Sequence, residues 1–285
     1  MNRLPLILFA ASAFAANEMD SPSLGWLWDA PTKSMRRLVG LPGSMRNEAG
    51  PTLPAETLAA WASPDAMQII VALPDARLER RNLRSGESEQ IPANQPDEVL
   101  FSPDGRLSAL WWKSEKRFAN WGDTPRELNA KSIQILNDGD AIVLDLDGLL
   151  QTAKGFWLGN FGAEATFAVA GSRLVVAAAR SFTVFEQNGK DWQQTSRHEY
   201  EGIPVFKQIE IESADWVLTV GTEGQLTRWS PASGSSETLS PSGVERLRAF
   251  RQPGFYLAEG ETPMMLFAFS SSQKLYAIPA PEVRQ

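Results

Sequence analysis

Residues 99–112 read VLFSPDGRLSALWW: a short apolar strand, a turn, and a second strand that is apolar on both faces. Ser102-Pro103-Asp104-Gly105 supplies the turn, because Pro fixes one backbone dihedral and Asp and Gly tolerate tight turns. Successive side chains point to opposite faces of a strand, so Trp111 and Trp112 must both be covered. The stretch therefore predicts a strand that is buried between two other sheets.

The same plan recurs along the chain. Strand-like runs that end in turn residues follow one another at about 34 to 41 residues. Besides Val99–Phe101, these runs are Leu58–Ala62, Ile133–Leu136, Phe167–Ala170, Phe206–Ile211 and Leu247–Phe250. That period is typical of the four-stranded blade of a β-propeller. Six such units fit between Leu58 and the C-terminus.

Helices do not interrupt this pattern. Parallel sheets would also bury strands on both faces, but they need crossover helices, and no amphipathic segment of ten or more residues is evident. The intervening stretches are polar and end in open turns, as outer strands of blades do. The basic stretch Arg77–Arg84 is interpreted as such a strand, with a local anion-binding patch as the alternative.

The segment Leu24–Val39 reads as a hairpin that precedes the repeats. Propellers commonly close their ring with strands from the other end of the chain, which removes a free sheet edge. We therefore predict an all-β, six- or seven-bladed β-propeller with ring closure by this N-terminal hairpin. Residues 16–285 are expected to form this single domain.

Residues 1–15 resemble a secretory signal peptide. Arg3 precedes the apolar run Leu4–Ala11, and Ala13-Phe14-Ala15 is a small-x-small cleavage site. The alternative is an apolar N-terminal element of the folded domain. The first interpretation places the protein in the periplasm or outside the cell.

Composition excludes several classes of function. The chain has no cysteine, so it can form neither disulfides nor Cys-ligated metal sites. With 27 basic against 34 acidic residues the net charge is −7, which disfavours nucleic acid. No other segment is long and apolar enough for a membrane span. We expect a monomer that requires no cofactor.

Two features resemble a known superfamily. Ser102-Pro103-Asp104-Gly105 and the strand Leu226-Thr227-Arg228-Trp229 are similar to repeats of WD-repeat and Tol-system propellers. The turn Gly40-Leu41-Pro42-Gly43 resembles one in secreted bacterial propellers of unassigned function. The resemblance implies a binding role, although the Gly-His pair of WD-repeats is absent.

Catalytic residues are scarce. His198 is the single histidine, and its polar neighbours indicate a surface position, so no catalytic residue is assigned. A propeller hydrolase of the glycosidase or lactonase type would instead need carboxylates in the channel, where Glu210 and Glu212 are the candidates.

Asp residues recur at one turn of successive units, at Asp65, Asp104 and Asp138. A turn-capping role explains them, because the Asp side chain accepts hydrogen bonds from nearby backbone. Asp138-Gly139-Asp140 and Asp145-Leu146-Asp147-Gly148 hint at calcium but do not match the full loop spacing, so no metal site is predicted.

Ten tryptophans remain, and most are expected to pack between blades. Trp121 and Trp192 are the candidates for exposed binding residues, because each lies among polar loop residues. The sequence thus predicts a non-catalytic, exported binding scaffold for a protein partner or a surface glycan. The alternatives are the propeller hydrolase and a carbohydrate-binding protein.

Overall fold

The computed structural model describes residues 23–40, 44–201, 204–240, 242–250, 254–260, 264–269 and 272–278. These residues form 27 strands in seven antiparallel sheets. The chain is therefore a seven-bladed β-propeller, which confirms the all-β prediction and decides between six and seven blades.

Blade 1 has three strands and each later blade has four. Blade 1 contains β1 (Ser23–Asp29), β2 (Ser34–Val39) and β3 (Arg46–Ala49). Blade 2 contains β4 (Ala59–Ala62), β5 (Gln68–Leu73), β6 (Arg77–Asn82) and β7 (Ser88–Pro92). Blade 3 contains β8 (Glu98–Phe101), β9 (Ser108–Trp112), β10 (Arg117–Asn120) and β11 (Arg126–Glu127). Blade 4 contains β12 (Ser132–Ile135), β13 (Ala141–Leu144), β14 (Leu149–Thr152) and β15 (Trp157–Asn160).

Blade 5 contains β16 (Thr166–Ala170), β17 (Arg173–Ala178), β18 (Ser181–Asn188) and β19 (Asp191–Glu199). Blade 6 contains β20 (Phe206–Ile211), β21 (Val217–Gly221), β22 (Leu226–Trp229) and β23 (Ser236–Ser240). Blade 7 contains β24 (Arg246–Ala249), β25 (Phe255–Glu259), β26 (Met264–Phe269) and β27 (Ser272–Ala277).

Strands pair in chain order within each blade, and we name them A to D from the central channel outward. A strands of neighbouring blades contact one another around the channel, as β12 does with both β8 and β16. Because neighbouring strands are antiparallel, the A–B turns and C–D loops lie at one end of the ring. We call this end the A–B face, and the opposite end the B–C face.

The B strands carry the core. Every residue of β9 and of β13 is buried, as their two-sided apolar sequences predict. Trp111 packs with blade 4 residues such as Val143, whereas Trp112 packs with blade 2 residues such as Ile70. The two adjacent tryptophans therefore fill the gaps on either side of blade 3.

The predicted hairpin Leu24–Val39 is present as β1 and β2, and β3 extends it. This blade contacts its neighbours on both sides. Arg248 of blade 7 donates a hydrogen bond to the carbonyl of Trp26 at 3.3 Å, and Trp26 Nε1 donates to the carbonyl of Ala66 in blade 2 at 3.3 Å. Ring closure by the N-terminal hairpin stays a prediction, because both chain ends extend outside the described residues.

Two further predictions concern residues that the structure does not describe. The signal peptide, residues 1–15, and most of the turn Gly40-Leu41-Pro42-Gly43 lie outside the described residues. The boundaries of the single domain therefore remain those predicted from the sequence.

Candidate functional site

The A–B turns of blades 2 to 4 repeat one local geometry. The side chain of Asp104 accepts hydrogen bonds from Ser102 Oγ at 2.6 Å and from the backbone N–H of Arg106 at 3.1 Å. Asp65 makes the equivalent bonds to Ser63 and Met67. Burial opposes ionisation of Asp104, but these hydrogen bonds hold its pKa below the usual value. The recurring aspartates therefore cap their turns, as the sequence predicts.

These turns also contact one another. The side chain of Asp65 lies against Gly105, whose φ of +74° and lack of a Cβ leave room for the carboxylate. The backbone N–H of Asp104 donates to Asn137 Oδ1 at 3.0 Å. Each turn therefore touches the next, and the A–B face of blades 2 to 4 forms one continuous surface.

Large apolar side chains are exposed on this surface. Met67 and Leu107 occupy matching positions after the A–B turns of blades 2 and 3. Phe156 is the last residue of the C–D loop of blade 4, and Trp157 begins the D strand. Trp157 is 64% exposed, far more than an aromatic residue that only fills a core. The B–C face carries two exposed apolar residues of this size among those described, Leu58 and Leu146.

Trp121 lies beside a cleft between blades 2 and 3 on the A–B face. Its indole N–H donates to Glu89 Oε2 at 3.0 Å, and the Arg80 guanidinium lies 5.0 Å from the ring centroid. The cleft has a volume of about 270 Å³ and is lined entirely by polar or charged residues, namely Gln68, Arg80, Asn82, Glu87, Ser88, Glu89 and Arg106. Trp121 is therefore half-buried against a polar site, and its ring is not a free platform.

A second cleft of about 350 Å³ lies across the A–B turn of blade 3 from the first. Its lining combines Pro103, Leu136 and Val169 with polar residues of blades 4 and 5, among them Asn137 and Gln187. Both clefts and the exposed aromatic pair therefore share one face of the ring.

The prediction of an exposed Trp192 is wrong. The residue is only 5% exposed and packs against Phe185 and Leu174 in the core of blades 4 and 5. It occupies strand β19 rather than a loop, and its ring turns inward while the neighbouring side chains of that strand remain exposed. A buried ring offers no surface to a ligand.

An ion pair spans the central channel. Glu98 begins the A strand of blade 3 and Arg246 begins that of blade 7, and their side chains form a salt bridge although the residues are 148 positions apart. Their side chains are 25% and 50% exposed, so water reaches the pair. The apolar pattern of the inner strands gives no sign of this ion pair, because each charge lies at the very start of its strand.

Glu210 lies deeper in the channel, near Arg246. Burial raises its pKa from 4.5 to about 7, while a hydrogen bond from Gln208 and the charge of Arg246 oppose the rise. The Gln208 side chain also bridges to blade 7, donating to the carbonyl of Leu247 at 2.7 Å and accepting from its N–H at 2.9 Å. Glu210 is thus a partly protonated carboxyl group at neutral pH.

Glu212, the other predicted channel carboxylate, does not line the channel. It follows β20 and forms two hydrogen bonds to Arg228, of 2.6 and 2.9 Å, with both side chains almost fully buried. The Arg228 guanidinium lies 4.0 Å from the centroid of the Trp216 ring. Both carboxylate oxygens of Glu212 accept hydrogen bonds from Arg228, so Glu212 has a structural role.

His198 lies on β19, half-buried, with its ring stacked on Tyr200 at a centroid distance of 6.5 Å. Among the described residues, no carboxylate or hydroxyl group makes the hydrogen bond to this ring that a catalytic triad would need. Most of the basic stretch Arg77–Arg84 forms β6, the C strand of blade 2, and Arg84 lies in the C–D loop that follows. Two of its arginines are paired with carboxylates, Arg80 with Glu89 and Arg81 with Glu79.

The part of the chain that the structure describes contains no group of three or more residues suited to hold a metal ion. Asp138 and Asp145 instead accept hydrogen bonds from backbone N–H groups of their own turns. Over the same residues, no helix is long and apolar enough to cross a membrane.

Comparison with known proteins supports the fold alone. No family model and no curated protein matches the sequence. Among solved structures the chain is similar to Kluyveromyces lactis Hsv2, with a TM-score of 0.52 and 12% identity over 75% of each chain. The computationally designed Ika8 protein gives a TM-score of 0.52 and 12% identity, over 93% of this chain and 89% of that one. The predicted resemblance is thus confirmed at the level of the β-propeller fold.

Sequence reasoning missed Trp157 and the pair Glu98 and Arg246. The signal for Trp157 was two adjacent aromatic residues after Gly155, which the structure places at the start of β15, the outermost strand of blade 4. The channel pair left no local signal, since only closure of the ring brings the two residues together.

Proposed function

We propose that this protein is an exported, monomeric binding scaffold that holds a protein partner on its A–B face and catalyses no reaction on it. Export rests on the signal-like residues 1–15 and places the scaffold in the periplasm or outside the cell. The face is built from loops held by a rigid ring, an arrangement on which binding residues commonly lie.

The observation that carries the proposal is the exposure of Phe156 and Trp157. An exposed apolar patch rimmed by polar residues is a feature of interaction sites, and Trp is among the residues that contribute most to binding energy. Met67 and Leu107 extend apolar surface toward blade 2, and two clefts lie on the same face. A partner docked here would cover residues that otherwise remain in water.

The test is affinity capture from the envelope and culture fluid of the host, with three forms of the tagged protein. We expect one stoichiometric protein with the unaltered chain, and at least about tenfold less of it with Trp157→Ala, because loss of a central Trp costs 2 kcal/mol or more. Leu146→Ala is the matched control, since Leu146 is similarly exposed on the opposite face.

Equal recovery with Trp157→Ala would show that the partner binds elsewhere. A preparation without any partner would argue against the scaffold and favour the hydrolase alternative. In that case Glu98 and Glu210, the carboxylates near Arg246 in the channel, are the residues to substitute while screening glycosidase and lactonase substrates.

A further inference from the structure

We propose that the cleft between blades 2 and 3 binds a neutral saccharide. This site is separate from the aromatic pair at Phe156 and Trp157, so the inference does not depend on a protein partner. It rests on the lining of the cleft, its charge, its pre-set geometry and one unsatisfied acceptor.

The lining is the first argument. All seven lining residues are polar or charged, whereas pockets for drug-like molecules are lined mainly by apolar side chains. An apolar peptide side chain would find little to bury against. A sugar ring presents several hydroxyl groups, each of which can donate and accept a hydrogen bond. At about 270 Å³ the cleft lies near the lower end of the size range for small-molecule sites.

Charge is the second argument. Arg80 and Arg106 are balanced by Glu87 and Glu89, so the lining has no net charge. Arg80 is bound to Glu89 at 2.5 Å. A phosphate or another strong anion would have to compete with these carboxylates, and a cation with the arginines. The balanced lining therefore favours a ligand without charge.

Geometry is the third argument. Arg80, Glu89 and Trp121 fix one another: the guanidinium lies over the indole ring, the carboxylate accepts from the indole N–H, and the two charged groups are paired. Guanidinium and carboxylate retain further donors and acceptors after these contacts, because Arg has five N–H groups and each carboxylate oxygen has two lone pairs. These remaining donors and acceptors are held in place before any ligand arrives, which lowers the entropic cost of binding.

Gln68 supplies the fourth argument. Its side-chain nitrogen donates across the blades to the carbonyl of Arg106 at 3.4 Å, and its Oε1 is a buried acceptor without a hydrogen-bond partner. An unsatisfied buried acceptor is costly. Because Gln68 lines the cleft, rotation of its amide toward the cleft would let a ligand hydroxyl satisfy this acceptor.

The experiment is an NMR titration of the ¹⁵N-labelled protein, followed through its indole N–H resonances. The resonance lost in Trp121→Phe identifies Trp121, which donates to Glu89 beside the cleft. Glucose, maltose, N-acetylglucosamine and chitobiose are the probes, and glucose 6-phosphate is the charged counterpart of the first. We expect at least one neutral sugar to shift the Trp121 resonance saturably with a millimolar Kd, while the buried Trp192 resonance stays in place.

Two variants test the residues. Gln68→Ala and Arg80→Met should each weaken binding about tenfold or more, the equivalent of one lost hydrogen bond to a charged or buried group. Arg84→Met is the matched control, because Arg84 is an exposed arginine of the adjacent C–D loop that does not line the cleft. Each variant must retain the other nine indole resonances, which shows that it is folded.

The proposal is overturned if none of the four sugars moves the Trp121 resonance, if glucose 6-phosphate binds more tightly than glucose, or if Arg84→Met weakens binding as much as Arg80→Met. Loss of a captured protein partner in Gln68→Ala, with no response to any sugar, would assign the cleft to the protein interface instead. Failure of the Trp157 capture experiment has no bearing on these results.

Discussion

Two carboxylate–guanidinium pairs of the ring lie in opposite surroundings. Glu212 and Arg228 belong to one blade, and their side chains are 2% and 7% exposed. Glu98 and Arg246 belong to blades on opposite sides of the channel, and their side chains are 25% and 50% exposed. The same two functional groups thus form one pair sealed by protein and one pair open to water.

The difference predicts how each pair contributes to stability. Removing one member of a sealed pair leaves the other as a buried, uncompensated charge, whereas water can solvate whatever remains of an open pair. Tyr256 connects the two regions: its hydroxyl donates to the carbonyl of Ile211 at 3.1 Å, and burial together with Glu210 and Glu212 raises its pKa. Stability should therefore respond differently to the loss of one member of each pair.

The largest effect is expected at the sealed pair. Arg228→Met should lower the free energy of unfolding by about 3–5 kcal/mol, because Glu212 would remain buried without its partner. Equilibrium urea unfolding measures this loss. The double variant Glu212→Leu with Arg228→Met should recover most of it, since no charge is then buried. A loss below about 1 kcal/mol in the single variant would contradict the contrast between the two pairs.

An intermediate effect is expected for the pH dependence of stability through Glu210. Its pKa in the folded chain, about 7, exceeds the ordinary 4.5. Between these values the folded state holds a proton that the unfolded state has lost, so the contribution of Glu210 favours folding at pH 5 and is lost as the pH rises through 7. Water in the channel reduces the full linkage value, and we expect about 2 kcal/mol.

The measurement compares unfolding of the unaltered chain and of Glu210→Gln at pH 5 and pH 8. The variant should gain stability relative to the unaltered chain at pH 8 and lose that advantage at pH 5. Glu199→Gln serves as a control, because Glu199 is an exposed carboxylate on an outer strand. Identical pH profiles for Glu210→Gln and the unaltered chain would contradict the buried, proton-binding state of Glu210.

The smallest effect on stability is expected at the open pair. Arg246→Met should cost no more than about 1 kcal/mol. It should also raise the pKa of Glu210 further, because the charge of Arg246 favours the ionised carboxylate. A ¹³C NMR titration of the glutamate carboxyl groups follows that change. If Arg246→Met destabilised the chain as much as Arg228→Met does, water would not be solvating the Glu98 carboxylate that remains in the channel.

Local patterns in the sequence were sufficient for much of the fold. The turn aspartates Asp65 and Asp104 were predicted correctly because their hydrogen bonds involve residues only two positions away. Trp111 and Trp112 were predicted correctly because adjacent bulky residues on a strand must face two neighbours. Both inferences use distances along the chain of a few residues.

The site depended on information that is not local. Trp192 has polar neighbours in sequence, yet its ring fills the core of blades 4 and 5. Glu212 follows an inner strand directly, but its partner Arg228 lies two strands further on in the same blade. Glu98 and Arg246 are separated along the chain by three complete blades and meet only when the ring has formed, so the periodicity of the sequence gives no sign of the contact.

The salt bridge between Glu98 and Arg246 also depends on the number of blades in the ring. Two blades separate its partners on one side and three on the other, so the two side chains together bridge the channel. An additional blade would push the opposite A strands apart and leave both charges without their partner. The contact between these two side chains therefore fits the channel of a seven-bladed ring and would fit neither a wider ring nor a ring with one blade fewer.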